Sequence, residues 1–308
     1  MGFKGIYRDK SLGQKFELFS VITFISVVVF WLFFLLLLVV FFDIDFSDLL
    51  MFSSDYSNLK LINVQKVYGF LLSVGLFIVP PFLFAYFTGF QLQLSQKINR
   101  QTVLLAIAIM LIGIPFVAYL IQWNKALNLP DFLEPLQGWM EASEQKATQL
   151  TEAFLAMNNM GDLLINLFLI ALIPAIGEEL FFRGVLQRLF AKWIGEIHLA
   201  IFISAFLFSA IHLQLFYFFP RFVLGIVLGY MFYWSKNLWL PILAHFTNNA
   251  LLIIFTYQFV ADKIKIDFLN EETPVNISGA LISFLAVALL MYLLYKKSSI
   301  KKELNNQL

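Results

Sequence analysis

Ile173-Pro-Ala-Ile-Gly-Glu178-Glu179-Leu-Phe-Phe-Arg183-Gly-Val-Leu-Gln-Arg188 sets two adjacent carboxylates and an arginine at the end of an apolar run. Charge in such a run is costly and asks for a reason. On a helix, Glu179 and Arg183 stand four residues apart with the acid first, the favourable order for an ion pair. Glu178 is turned about 100° from that pair at 3.6 residues per turn. The division of labour follows. Arg183 neutralises Glu179, while Glu178 points elsewhere without a local partner. A carboxylate left over inside a membrane is a functional candidate.

The composition makes the membrane explicit. The chain has 308 residues, 60% of them hydrophobic and 13% charged, with mean hydropathy +0.81. A soluble domain is nearer half apolar and a quarter charged. The expected fold class is all-α, a polytopic bundle of about eight transmembrane helices with both termini cytoplasmic. The net charge of +1 gives no sign of a nucleic-acid partner. With no cysteine, disulfides, thiolate catalysis and thiolate metal ligation are excluded. Imidazole chemistry must come from His198, His212 or His245.

Apolar segments are expected at about 18–42, 67–90, 102–121, 163–182, 198–216, 221–234, 238–255 and 277–295. The first is too long for a signal-peptide core, and no small-residue cleavage site follows it. Pro80 and Pro81 are expected to kink the second. Lys4, Arg8, Lys10 and Lys15 precede the first segment. Lys97 and Arg100, then Arg183, Arg188 and Lys192, then Lys236, and finally Lys296 to Lys302 follow alternate later ones. All fall on one side in this count, which the positive-inside rule makes cytoplasmic. The stretches with Asp43, Asp45, Asp48 and Asp55, and from Asp262 to Glu272, fall outside. Residues 122–162 form an extramembrane loop, with an amphipathic helix from Pro135 onward. Gly225-Ile-Val-Leu-Gly229 is a small-xxx-small pattern, read as helix packing. The chain is taken as a single transmembrane domain, 1–308, with a core at about 163–255. A multi-pass protein of a cell membrane follows, the bacterial inner membrane being the expected one.

Two more polar motifs lie in apolar context, Phe208-Ser-Ala-Ile-His212 and His245-Phe-Thr-Asn248-Asn249. The ends of each are four apart and share a helix face. Counting about 1.5 Å per residue from the basic ends puts Glu178 at roughly 15 Å, His245 at roughly 12 Å and His212 at roughly 20 Å depth. One carboxylate, two imidazoles and one carboxamide can therefore meet in one cavity. A glutamate near histidines can deprotonate water, and a histidine with an asparagine can donate to an oxyanion. Alternatively, Glu178, His212 and His245 ligate Zn2+ or another divalent metal with water in an open position. Either scheme hydrolyses an amide.

Glu178-Glu179-x-x-x-Arg183, Phe208-x-x-x-His212 and His245-x-x-x-Asn249, in that order on successive helices, resemble the CAAX protease and bacteriocin-processing (CPBP, Abi) family of intramembrane proteases. That family includes the type II prenyl-protein endopeptidases of eukaryotes. The resemblance implies that Glu178 and His212 activate the attacking water, and that His245 and Asn249 stabilise the oxyanion. Glu179 and Arg183 then hold the first glutamate in place. It implies a membrane-associated or lipidated peptide or protein as substrate, and membrane lipid as a partner. Two other classes stand beside the endopeptidase. One is a non-proteolytic member giving bacteriocin self-immunity or scaffolding a partner, against which the unpaired buried charge counts. The other is a transporter or proton relay, against which the absence of an internal repeat counts.

Overall fold

A computed structural model describes residues 3–42, 58–126, 130–260 and 276–307. Every regular element among them is helical. The two acidic stretches expected outside the membrane, 43–55 and 262–272, lie almost wholly beyond the described residues. The helices are α1 (Leu12–Phe41), α2 (Leu59–Thr88), α3 (Arg100–Ile112), α4 (Ile114–Lys125), α5 (Glu134–Leu155) and α6 (Met160–Ile194). They continue with α7 (Ile197–Ala210), α8 (Phe218–Ser235), α9 (Trp239–Val260) and α10 (Ile277–Gln307).

Among the described residues, six helical runs are long and apolar enough to cross a membrane, and α3 with α4 make a bent seventh. The protein is a polytopic membrane helix bundle. The span expected at 198–216 is α7, an apolar helix of only 14 residues. At about 1.5 Å per residue it covers roughly 21 Å, short of a ~30 Å hydrocarbon core. Its ends explain the length. Glu196 caps the start by accepting from the Leu199 amide, and the chain turns out of the helix at Ile211 and His212.

Prolines shape the helices in two ways. In α2, the turn Val74–Ile78 widens to a π-helix just before Pro80 and Pro81. The extra residue relieves the clash between the rings and the preceding turn. The helix remains one run from Leu59 to Thr88 through these prolines. The break comes at Gly113 and Pro115, where α3 and α4 diverge by 42°. In α6 a π-turn at Leu167–Leu172 likewise precedes Pro174.

Helix α6 occupies the centre, against α1, α2, α7 and α9. Its fit depends on glycine at two close approaches. A Cβ on Gly177 would stand 2.9 Å from Phe77, and one on Gly225 of α8 would stand 2.9 Å from the Ala205 Cβ of α7. The Gly225/Gly229 pattern is thus a packing seam, as expected. It also exposes two carbonyls to α6. Arg183 donates to the Gly225 carbonyl at 2.9 Å, and Gln187 to the Gly229 carbonyl at 3.3 Å.

The basic residues gather at one end. Arg188 donates to the Gln91 carbonyl, and Asn237 to the Gln96 carbonyl. The loops after α2, α6 and α8 therefore meet there, with the segment before α1 folded against them.

Candidate functional site

The second π-turn of α6, Leu180–Leu186, begins directly after Glu179 and contains Arg183. Such bulges recur at functional sites because they redirect side chains without ending the helix. Here Glu178, Glu179 and Arg183 are all buried, at 8%, 0% and 1% exposure. Arg183 Nη1 donates to Glu179 Oε1 at 2.6 Å, the pair expected from the spacing. The guanidinium also lies over the Phe208 ring, 4.6 Å from its centroid. The cation is thus held by a carboxylate, a carbonyl and an aromatic face, as a buried guanidinium requires.

Helix α9 supplies the next group. His245 is 4% exposed, and its Nδ1 lies 3.0 Å from the same Glu179 Oε1. The contact puts a proton on Nδ1, because an ionised carboxylate only accepts. The other ring nitrogen, Nε2, then faces Glu178 Oε2 at 3.9 Å. That oxygen is buried and has no hydrogen-bond partner among the described residues. Glu179 is therefore the anchor for both Arg183 and His245, and Glu178 is the carboxylate left over.

The second histidine is placed differently from the sequence expectation. His212 follows the end of α7 instead of continuing its face, and its Nδ1 lies 2.8 Å from the Phe208 carbonyl. The ring caps one of the orphan carbonyls at that helix end. Nε2 is left for chemistry. Phe208 packs edge-on against both imidazoles, at 5.5 Å from His212 and 5.7 Å from His245. His212 lies within electrostatic range of Glu178 and His245. Glu178, Glu179, Arg183 and His245 thus form one buried cluster from α6 and α9, and Phe208 links it by packing to His212 at the end of α7. Asn249 is one turn beyond His245 and half-buried, with its Oδ1 accepting from Asn248 at 3.2 Å.

Two imidazoles and one carboxylate are a donor set that a catalytic zinc can use. Among the described residues no three His, Asp or Glu side chains gather closely enough to hold an ion. His245 has its Nδ1 engaged by Glu179, and His212 has its Nδ1 engaged by a carbonyl. Both contacts leave Nε2 available, the pattern of imidazoles that ligate a metal while a carboxylate or carbonyl holds the other nitrogen, so they do not count against Glu178, His212 and His245 as ligands.

Sequence reasoning missed the second cation near the site. Arg221, at the start of α8, is in electrostatic range of Glu178 and of Glu144 from α5. It donates to Gln214 and lies 5.5 Å from the Tyr217 ring centroid. The available signal was an arginine flanked by apolar residues in Phe218-Phe-Pro-Arg-Phe-Val. Helix α5 crosses beside it, with Ser143 donating to the Leu213 carbonyl at 3.5 Å.

His198 is far from this chemistry. Its Nδ1 meets the Tyr230 hydroxyl at 2.8 Å near the basic end of α7.

Comparison with known proteins converges on the same stretch. Residues 160–251 match a family model described as type II CAAX prenyl endopeptidase Rce1-like. An uncharacterized protein of Bacillus subtilis (strain 168), YpbD, is 27% identical over 111 residues, 35% of this chain and 52% of YpbD. The chain thus spans about half the length of that curated relative. No solved structure matches. The matched stretch runs from the start of α6 into α9 and holds Glu178, Glu179, Arg183, His212, His245 and Asn249, so the part of the chain similar to type II CAAX prenyl endopeptidases is the part that carries the site.

Proposed function

We propose that this protein is an intramembrane endopeptidase that hydrolyses a peptide bond of a membrane-associated or lipidated polypeptide. The observation that carries the proposal is Glu178 Oε2, buried, without a hydrogen-bond partner among the described residues, and 3.9 Å from His245 Nε2. A structural carboxylate at this depth would be paired, as Glu179 is. The similarity of residues 160–251 to type II CAAX prenyl endopeptidases supports CAAX protease-like activity, and the cluster suggests how it runs.

Glu178 accepts a proton from a water held between it and His212. The hydroxide attacks the carbonyl carbon of the scissile bond. The negative charge that develops on the carbonyl oxygen is met by His245 as the imidazolium, with Nδ1–H on Glu179 and Nε2–H toward the oxyanion, and by the Asn249 amide. Glu178 then returns the proton to the departing amine, and the C–N bond breaks. Glu179 fixes the His245 ring through Nδ1, and Arg183 balances its charge. The core of this machinery is 163–255. The basic end of the bundle belongs in the cytoplasm of a bacterial cell, with both termini on that side.

Cleavage of a lipidated reporter peptide by protein reconstituted in vesicles tests the proposal. Wild type should release the C-terminal fragment, and Glu178→Gln should not. Equal turnover by both would overturn it. Chelator treatment adds a second arm. Activity that survives it supports water activation by Glu178 and His212 without metal, and loss that Zn2+ restores would make Glu178, His212 and His245 metal ligands.

A further inference from the structure

We propose that the basic end of the bundle carries a binding site for a phosphate group at the membrane surface, the headgroup of an anionic phospholipid. Four cations from three segments surround one cavity of about 330 Å³: Arg8, Lys15, Arg188 and Lys192. None of them is in an ion pair among the described residues. Arg188 and Lys15 stand close enough to Lys192 to repel it. Such crowding opposes folding, so the arrangement makes sense with an anion between the cations.

The site is built into the fold. The last carbonyls of α2 have no helical partner of their own. The Gly5 amide takes that of Tyr86 at 2.9 Å, and the Tyr7 amide takes that of Phe87 at 2.8 Å. This return of the chain lays the Arg8 guanidinium on Gly89, with Nε 3.1 Å and Nη2 3.2 Å from where a Cβ would sit. Gly89 has φ +70°, so the position both needs glycine for its backbone and needs it bare for the arginine. Lys15 donates to the Arg8 carbonyl at 2.7 Å and steadies the same loop. From the other side, Arg188 is fixed by the Gln91 and Gly184 carbonyls. Phe90 lies beneath both α6 cations, 4.1 Å from Arg188 and 5.1 Å from Lys192. The cations are preorganised around the cavity rather than waving from it.

The position favours a lipid as the source of the phosphate. The cavity lies where α1, α2 and α6 end, at the edge of their apolar runs. Trp193, next to Lys192, is 67% exposed and stacks near Phe16 at 5.2 Å, an amphipathic ring of the kind found at headgroup level. A soluble phosphate would meet the same four cations but would have no use for that belt.

The test uses the full chain extracted from nanodiscs of mixed phosphatidylglycerol and phosphatidylcholine, with retained lipid read by native mass spectrometry. Phosphatidylglycerol should be retained selectively. Arg8→Gln and Lys192→Gln should each lower its apparent affinity roughly fivefold, the effect of one cation at a membrane surface. Lys97→Gln, at the same end but outside this cavity, should leave it unchanged. A parallel arm titrates delipidated protein with inorganic phosphate and follows thermal unfolding. Protection by phosphate in wild type but not in the Arg8 and Lys192 variants, with no lipid selectivity, would keep the phosphate site and assign it a soluble ligand. The proposal is overturned if neither phosphatidylglycerol nor phosphate binds selectively, or if Lys97→Gln weakens binding as much as the other two.

Discussion

His245 and Arg183, on different helices, share one acceptor: Glu179 Oε1 lies 3.0 Å from His245 Nδ1 and 2.6 Å from Arg183 Nη1. One carboxylate oxygen thus ties α6 to α9 at the level of the site and sets the orientation of an imidazole. Adjacent glutamates thereby receive different jobs. The first contrast to test is between them. Glu179→Gln leaves the Arg183 cation, 1% exposed, without its counter-charge, and should cost about 3–5 kcal/mol. Glu178→Gln removes no hydrogen bond and should leave the unfolding temperature in detergent nearly unchanged, while peptide cleavage falls about 10²–10⁴-fold. A Glu178→Gln protein that unfolds as early as Glu179→Gln would make Glu178 a structural group.

The Glu179–Arg183 pair should also be replaceable as a unit. Removing either partner leaves a buried charge, whereas Glu179→Leu with Arg183→Met leaves none. The double variant should be more stable than either single variant, by a coupling of about 1–3 kcal/mol. It should still be inactive, because His245 loses the carboxylate that orients it. Additive losses in a double-mutant unfolding cycle would show that the pair does not act as a unit.

The sequence made this pair legible because i,i+4 spacing on a helix is a local property. It also disclosed Glu178 as the acid that Arg183 leaves without a partner. The partner of Glu179 across 66 residues was hidden, since which nitrogen of His245 meets which carboxylate depends on how α9 docks. The length of α7 was hidden as well. The apolar run continues past His212 through Phe216-Tyr-Phe-Phe, so hydropathy alone could not see the chain turn. The turn is marked in the backbone by Leu213 at φ +55°. The bend at Gly113 and Pro115 also went unnoticed, because the apolar run from Thr102 to Ile121 is continuous across it. Buried polar contacts between helices, such as Lys66 Nζ with Asn166 Oδ1 at 3.0 Å, leave no periodic signature at all.

Close packing along the Gly225/Gly229 seam gives a graded prediction. Gly225→Ala drives a methyl to 2.9 Å from Ala205 and should separate α7 from α8, at about 1–3 kcal/mol. The same shift pulls the Gly225 carbonyl from Arg183, so cleavage should fall along with stability. Gly138→Ala, on the exposed side of α5 with nothing within 4 Å, should instead gain up to about 1 kcal/mol from helix propensity. Thermal unfolding of the two variants side by side decides it. Equal effects would mean that the seam tolerates a methyl by moving the helices apart freely.

His212 joins two roles that substitution can separate. Its Nδ1 caps the Phe208 carbonyl, and its Nε2 is the nitrogen available to a substrate water. Asparagine places an amide donor near the Nδ1 position but has no counterpart of Nε2. His212→Asn should therefore unfold at nearly the wild-type temperature, whereas His212→Ala should lose about 1 kcal/mol, the net worth of one hydrogen bond. Both should lose cleavage to a similar extent, about 10²-fold or more, if Nε2 helps position or deprotonate the water. Retention of activity in His212→Asn would confine His212 to capping α7. Water activation would then rest on Glu178 alone, with His245 as its nearest imidazole at 3.9 Å.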